Sequence, residues 1–316
     1  MNNMSFEEFK REVVERILEY LPDSFKGADV SLNVVTKAND VRLTGLTILR
    51  SGCNMAPTIY LEKFFEMYEG GDNIGVILRR IADVRVANDA SDIVSVSEIL
   101  DFEFCKERIL PRLYGAELNK AVMEERPYTL IGDFAVFYIV CIDETEDGIM
   151  SIPINNQMIK SWGVNIDEIH DIAVNNLSKA NDGTFKKMSE VMKELMLPQM
   201  IAEMGGDEEM AEKLFDDMFG AESNPMYVLS NTKNVNGATI LLDKTYMNNI
   251  VDKLGTDFYI LPSSIHEVLI VPANVMSPDE LASMVYEINR AQVQEEERLS
   301  DHVYMYSKET GYTRAA

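Results

Sequence analysis

Residues 133–143 read Asp-Phe-Ala-Val-Phe-Tyr-Ile-Val-Cys-Ile-Asp, and this stretch does most to decide the fold. The run from Phe134 to Ile142 is almost entirely apolar, so it has no polar face to turn towards water. A strand covered on both faces has this pattern, whereas a half-exposed strand alternates. We therefore predict a strand in the middle of the main sheet. The run is far shorter than the ~20 residues that a membrane-spanning helix needs.

Helix and hairpin patterns precede this strand. Ser5 and Glu8 form a capping-box pattern, which predicts the start of a first helix. Apolar residues then alternate along 30–34 and again along 41–48, which predicts a hairpin. The alternation changes phase at Gly45, and we expect a β-bulge there.

Helix and hairpin patterns also follow the predicted central strand. Strands are predicted near 226–230 and 238–242, a helix near 245–254, and a hairpin that pairs Phe258–Leu261 with Val268–Val271. Hairpins separated by helices lack the regular strand–helix alternation that builds parallel sheets. The sequence therefore predicts an α+β fold with mixed, largely antiparallel sheets.

The composition changes in the middle of the chain, and this suggests three regions. We predict an N-terminal α+β region at 1–183, a Met-rich acidic helical segment at 184–225 and a C-terminal α+β region at 226–316. The alternative is a single interleaved domain.

The charge of the chain limits its partners. There are 29 Lys and Arg residues against 53 Asp and Glu residues, a net charge of −24 at pH 7. This charge opposes binding to phosphate backbones and to anionic lipid surfaces, so we expect neither direct nucleic-acid binding nor membrane association. The polar N-terminal residues do not resemble a secretory signal, and we expect a soluble cytoplasmic protein.

Motifs for metal or cofactor binding are incomplete. The patterns GxGxxG, GxxxxGK[ST] and GxSxG are absent. His266-Glu267 begins like the zinc motif HExxH, but Ile270 occupies the position of the second histidine. The segment 143–148 resembles the start of a calcium loop, yet Ile154 stands where a bidentate glutamate is needed. The three cysteines form no CxxC pair. We therefore predict no metal and no cofactor.

One group of residues has the side chains that catalysis needs. It consists of Ser263, Ser264, His266 and Glu267. A hydroxyl, an imidazole and a carboxylate at a strand turn could support acid–base or nucleophilic chemistry. Neighbours on a strand point to opposite faces, however, which would separate His266 from Glu267. The alternative is that these side chains only cap the turn.

Methionines recur at every fourth position of the acidic segment. They are Met188, Met192, Met196, Met200 and Met204. Flexible, polarisable thioethers suit a surface that adapts to a protein partner, so these residues are candidate partner-binding residues. Each step of four advances about 40° around a helix, so they cannot form one straight stripe. Pro198 is expected to break the segment into at least two helices. Ordinary core packing is the alternative.

Segments spread along the chain match one known family. They are Asn33–Asn39, Leu43–Ile48, Ala56–Leu61, Tyr68–Gly71, Tyr227–Asn231, Gly237–Leu242 and Phe258–Glu267. In these segments the chain resembles the bacterial domain-of-unknown-function family 5688, over nearly its whole length. The resemblance implies a cytoplasmic protein of anaerobic gut bacteria, and it implies no activity, substrate or cofactor.

Three hypotheses of function remain. The leading one is a non-enzymatic protein-interaction or regulatory module, because catalytic motifs are missing and the helical segment is rich in methionine. The alternative is an enzyme with an unrecognised site near His266. The third is an acidic nucleic-acid mimic, although mimicry needs carboxylates concentrated on one face and here Lys and Arg are interspersed.

Overall fold

The computed structural model describes residues 4–89, 94–145, 148–219 and 225–316. Its helices are α1 (Phe6–Arg16), α2 (Glu62–Glu69), α3 (Ile74–Ala87), α4 (Val96–Leu100), α5 (Phe102–Lys106), α6 (Lys120–Glu125), α7 (Asn156–Trp162), α8 (Ile166–Ala180), α9 (Met188–Glu203), α10 (Glu208–Phe219), α11 (Lys244–Leu254) and α12 (Pro278–Ala291). Its strands are β1 (Asp29–Thr36), β2 (Arg42–Leu49), β3 (Thr58–Tyr60), β4 (Ile109–Gly115), β5 (Thr129–Ile131), β6 (Phe134–Thr145), β7 (Gly148–Pro153), β8 (Gly183–Lys187), β9 (Tyr227–Asn231), β10 (Phe258–Leu261), β11 (Val268–Pro272), β12 (Tyr304–Ser307) and β13 (Gly311–Arg314). The strands form three antiparallel sheets, which confirms the predicted α+β class. Within these ranges no helix is long and apolar enough to cross a bilayer.

The N-terminal part has a hydrophobic core of its own. Helices α1, α2 and α3 contribute to it together with the three-stranded sheet β1-β2-β3. Phe9, Leu46 and Leu78 are among its fully buried residues, and we call this cluster the N-terminal core. The predicted capping box closes α1, since Ser5 Oγ accepts from the Glu8 N–H and the Glu8 carboxylate accepts from the Ser5 N–H.

The predicted bulge at Gly45 is wrong. Gly45 pairs with Asn33 in a register that is unbroken from Asp29 to Thr36. A Cβ at position 45 would lie 2.5 Å from Cγ2 of Thr58, so neighbouring side chains already fill that space. The glycine therefore allows close packing in a regular strand, and no extra residue is inserted.

Strand β6 is the middle strand of a four-stranded sheet. It pairs with β4 along one edge, while β5 and β7 share the other edge. Its residues from Phe134 to Val140 are all buried, as the apolar run predicts. The largest sheet lies elsewhere in the chain and has the strand order β13-β12-β10-β11-β9-β8.

Of two strand predictions in the C-terminal part, the hairpin is confirmed and the strand near 238–242 is not. Strands β10 and β11 pair as predicted, with Leu261 opposite Leu269. The predicted strand near 238–242 is wrong, because Gly237–Leu242 forms a 3₁₀-helix. Residues 237–241 are all buried, so the segment is covered on every side. A short, largely apolar run of this kind does not distinguish a strand from a buried helix.

The largest core joins both of the larger sheets. It includes residues of β4, β6 and β9–β12, and of helices α7, α8 and α11. Helix α12 covers the other side of the six-stranded sheet through a smaller cluster that contains Leu281 and Val285. The largest core draws on both sides of positions 183 and 225, and the division into three regions stays a prediction.

Helices α9 and α10 form a helical arm, defined as residues 188–219. The prediction that Pro198 interrupts the helix is wrong, since α9 runs continuously from Met188 to Glu203. Pro198 is exposed, so water can bond the Glu194 carbonyl that lacks its intrahelical N–H donor. Helix α9 ends before Gly205 and Gly206, which both adopt positive φ and lie between the two helices.

The turn between β1 and β2, residues 37–41, reaches into the rest of the protein, and we call it the hairpin tip. Asn39 and Asp40 are both left-handed there. The Asn39 N–H donates to Oδ1 of the fully buried Asn119, whose Nδ2 donates to Oδ1 of Asn39 and to the Gly115 carbonyl. Nδ2 of Asn39 donates to the carbonyls of Glu295 and Arg298. The tip therefore fixes the C-terminal loop 295–298 against the central sheet.

Candidate functional site

The turn between β10 and β11 carries the residues that the sequence selected. The loop 295–299 runs alongside it, with Ser264 bridged to Arg298. The Ile265 N–H donates to the Glu297 carbonyl, and the Leu299 N–H donates to the Ser263 carbonyl. The loop 295–299 thus holds the turn through backbone hydrogen bonds, and the hairpin tip fixes this loop in turn.

The imidazole of His266 is oriented by two contacts. Its Nδ1 accepts the N–H of Asn236 at 3.2 Å, and its Nε2 lies 3.5 Å from Oε1 of Glu297. Because Nδ1 is an acceptor, the hydrogen-bond network assigns the proton to Nε2, facing the carboxylate. The backbone of His266 is held as well, since its carbonyl accepts from Ser230 Oγ and its N–H donates to Ser264 Oγ.

The predicted group of four is brought together only in part. Ser264 contacts the backbone of His266, not the imidazole. Ser263 Oγ is buried and has no hydrogen-bond partner among the described residues, and Glu267 is exposed. The carboxylate beside His266 belongs to Glu297, which sequence reasoning missed because no local pattern links the two positions. The catalytic assignment of these residues stays a prediction.

This geometry limits what His266 can do. A general base that activates a serine needs a ring nitrogen within hydrogen-bond reach of the hydroxyl. In the described part of the chain no hydroxyl contacts either nitrogen, because Nδ1 is occupied by a backbone amide and Nε2 faces Glu297. The arrangement suits an anchor for the turn better than a nucleophile–base pair.

A second histidine lies against a buried tyrosine. The hydroxyl of Tyr138 donates to Thr129 Oγ1 at 2.7 Å and lies 2.9 Å from Nδ1 of His170. A hydroxyl has one proton, so Tyr138 must accept from His170, which places a proton on Nδ1. Burial raises the pKa of Tyr138 to about 12 and lowers the pKa of His170.

These two pKa shifts predict how stability depends on pH. The folded pKa of His170 is below 6.5, so its contribution to stability is lost as the pH falls through 6.5 towards the folded value. The folded pKa of Tyr138 is above 10.0, so stability is lost as the pH rises from 10.0 to about 12. We expect His170→Gln to flatten the acid limb and Tyr138→Phe to reduce the slope of the alkaline limb. Urea unfolding across the pH range measures both.

Tyr304 is the internal comparison for this prediction. Burial also raises its pKa to about 12, so Tyr138→Phe removes only part of the alkaline slope, and Tyr304→Phe removes another part. An alkaline limb that is identical in the wild type and in both variants would contradict the prediction.

The candidate methionines lie on the helical arm, and other apolar side chains of the arm are more exposed than they are. Met196 is 37% exposed, and the other four are half-buried. The most exposed apolar side chain of α9 is Leu195, and α10 carries three more. The α10 residues are Met210, Leu214 and Met218. Sequence reasoning missed these three because the same periodicity is typical of a buried helix face. Partner binding by the candidate methionines stays a prediction.

Metal ligands do not converge in the described ranges, where no group of three His, Cys, Asp or Glu side chains could hold an ion. Asp147 of the calcium-loop-like segment lies outside those ranges. The cysteines are free thiols, and burial raises the pKa of Cys105 to about 11. A thiol with a raised pKa is a poor nucleophile at neutral pH.

Comparison with protein families places the chain in one of them. The chain belongs to the family of unknown function DUF5688, whose pattern matches residues 6–308. This match confirms the resemblance seen in the sequence. Comparisons with curated proteins and with solved structures gave no match.

Proposed function

We propose that the protein is a non-enzymatic interaction module whose helical arm binds a basic amphipathic helix of a partner protein. The observation that carries this proposal is the exposed apolar stripe of α10 on a strongly acidic arm. Helix-on-helix packing, as in coiled-coil zippers, is a common mode of peptide recognition, and it uses such a stripe as its contact surface.

The stripe consists of Met210, Leu214 and Met218, which are 60%, 39% and 60% exposed. The three residues are spaced by four, so the stripe rotates by only about 80° around α10 from Met210 to Met218. A single helix of a partner can therefore cover it. Ala211 and Phe215, on the adjacent side of α10, are buried. The apolar face of α10 is therefore wider than the part that packs against the protein, and the stripe is the part that faces water.

The charge of the arm defines the partner. Residues 188–219 contain nine Asp and Glu residues and two lysines, a net charge of −7. Lys193 is already paired with Glu212 at 2.9 Å. A basic helix would complement this charge, whereas a second copy of the chain would bring the same negative charge and be repelled. Methionines allow the surface to adapt to the side chains of the partner.

The test uses a synthetic peptide with leucines on one helical face and lysines on the other. We expect the triple variant Met210→Ser, Leu214→Ser, Met218→Ser to bind it about thirtyfold more weakly, because ~2 kcal/mol of apolar burial is lost. Isothermal titration calorimetry measures the affinity. Val34→Ser is the matched control, since Val34 is 72% exposed and lies on β1, away from the arm.

A scrambled peptide of the same composition controls for charge alone. Equal affinity for both peptides, or unchanged binding by the triple variant, would refute the docking surface. Sedimentation of the unliganded protein provides a second measurement. A dimer that the triple variant abolishes would assign the stripe to self-association and overturn the proposal.

The enzyme alternative has one observation in its favour, which is the contact between His266 Nε2 and Glu297. A fluorophosphonate probe tests it, because this reagent labels activated serines. Labelling of Ser263 or Ser264 that disappears in His266→Gln would favour an enzyme. The nucleic-acid mimic stays a third hypothesis, and the arm is where its carboxylates are densest.

A further inference from the structure

A second polar surface lies on the face of the four-stranded sheet that points away from the largest core. Arg112 and Tyr114 occupy this face, since they pair with Phe137 and Ala135, which belong to a separate small cluster. Helix α6 covers part of the same face through the buried Val122. The two polar side chains therefore lie beside α6.

The β1–β2 hairpin brings a third element to this surface. Arg126 follows directly after α6, and its guanidinium Nη2 lies 3.4 Å from the carbonyl of Thr36, the last residue of β1. We call the space bordered by Arg112, Tyr114 and Arg126 the arginine cleft. Its walls are the sheet, α6 and the β1–β2 hairpin.

The polar groups of the arginine cleft lack partners of opposite charge. Arg112 donates only to the carbonyl of Pro111, and neither arginine forms an ion pair within the described ranges. Glu144 acts on Arg112 from a distance but is itself paired with Lys233. The hydroxyl of Tyr114 has no hydrogen-bond partner among the residues that the structure covers. Within the described ranges the two guanidinium groups thus bond only main-chain carbonyls, although the net charge of the protein is −24.

Arg112 and Arg126 both act electrostatically on Tyr114, so the three side chains lie close together. Arg112, Tyr114 and Arg126 all keep part of their accessible surface. Burial nevertheless lowers the pKa of Arg112 and raises the pKa of Tyr114, so both groups are surrounded by protein. Removing a cation from water without a counter-ion costs free energy, which a bound anion would offset.

We propose that the arginine cleft binds a small molecule through an oxyanion group, held by Arg112 and Arg126 with the Tyr114 hydroxyl as a further donor. A guanidinium forms two parallel hydrogen bonds to a phosphate or a carboxylate, and this geometry favours arginine over lysine in such sites. The site lies on the central sheet and is separate from the arm, so it is independent of the proposed docking function.

Arginine Nε–H resonances report on the site directly. We expect inorganic phosphate, added at constant ionic strength, to shift the signals of Arg112 and Arg126 in a saturable manner. Binding should weaken about tenfold in Arg112→Gln and in Arg126→Gln, since each removes a charge-assisted hydrogen bond. Arg79→Gln is the matched control, because Arg79 is exposed on α3. A parallel titration with malonate distinguishes a carboxylate ligand from a phosphate ligand.

Several results would overturn the proposal. They are signals of Arg112 and Arg126 that do not shift with either anion, shifts that do not saturate, and an equal loss of affinity in Arg79→Gln. If Arg112→Gln does not fold, Arg112→Lys replaces it. That variant keeps the positive charge and loses the paired contact, so affinity should still fall, and wild-type affinity in Arg112→Lys would count against the guanidinium.

Discussion

Gly237→Ala is expected to lower the free energy of unfolding by about 3 kcal/mol. A Cβ at this position would overlap Ser230 Oγ and would lie 2.5 Å from the His266 carbonyl oxygen and 2.7 Å from the Asn231 nitrogen. Two of these three atoms belong to backbones and cannot rotate away. The 3₁₀-helix must therefore shift, and its shift moves both the Asn236 N–H and the His266 carbonyl.

Two measurements check this prediction. Urea unfolding gives the loss of stability, and the imidazole C–H resonances of His266 report the lost contact at Nδ1. Gly70→Ala is the matched control, because the nearest atoms to its Cβ are 3.3 Å away and its φ is −69°. An unfolding midpoint of Gly237→Ala equal to that of Gly70→Ala would show that the 3₁₀-helix adapts without cost.

Asn119→Ala should also destabilise the fold by about 3 kcal/mol, because it removes three hydrogen bonds of a fully buried side chain. The side chain of Asn119 accepts from the Asn39 N–H at 2.7 Å and donates to Asn39 Oδ1 and to the Gly115 carbonyl, each at 2.8 Å. Alanine can replace none of these bonds. Asn175→Ala, on the exposed face of α8, is the control.

The effect of Asn119→Ala should extend to the C-terminal loop. Asn39 bonds the carbonyls of Glu295 and Arg298, so a loosened hairpin tip releases the loop beside His266. We expect faster hydrogen exchange at the Leu299 N–H, which bonds the Ser263 carbonyl. Unchanged exchange at Leu299 in the variant would mean that the loop is held without the tip.

Local patterns predicted the elements that depend on local forces. The capping box at Ser5 lies where helix α1 begins, because the Glu8 side chain three residues on completes it. Strand β6 follows from an unbroken apolar run, and the β10–β11 hairpin follows from two apolar segments on either side of a turn. These features need no knowledge of what packs against them.

The wrong predictions share a different origin. At Gly45 the neighbouring Thr58 side chain explains the glycine, and near 238–242 burial on all sides removes the alternation that marks a strand. At Pro198 exposure to water allows the helix to continue. In each case a neighbour or the solvent decided the outcome, and neither is encoded within a short window.

The candidate sites depend still more on distant contacts. Glu297 approaches His266 only because two loops are held side by side. The arginine cleft needs β4, the end of α6 and the end of β1 together. Sequence periodicity could identify α10 as amphipathic, but only the packing reveals which part of its apolar arc is left uncovered.

The hairpin tip also sets an order of events while the ribosome makes the chain. Every residue of the N-terminal core lies before residue 89, so that core can collapse early in synthesis. Asn39, in contrast, bonds carbonyls 256 and 259 positions further on, which are made long after that core. Contacts over such separations form slowly. The left-handed turn at Asn39 and Asp40 therefore waits, without these two partners, until residues 295–298 have been made.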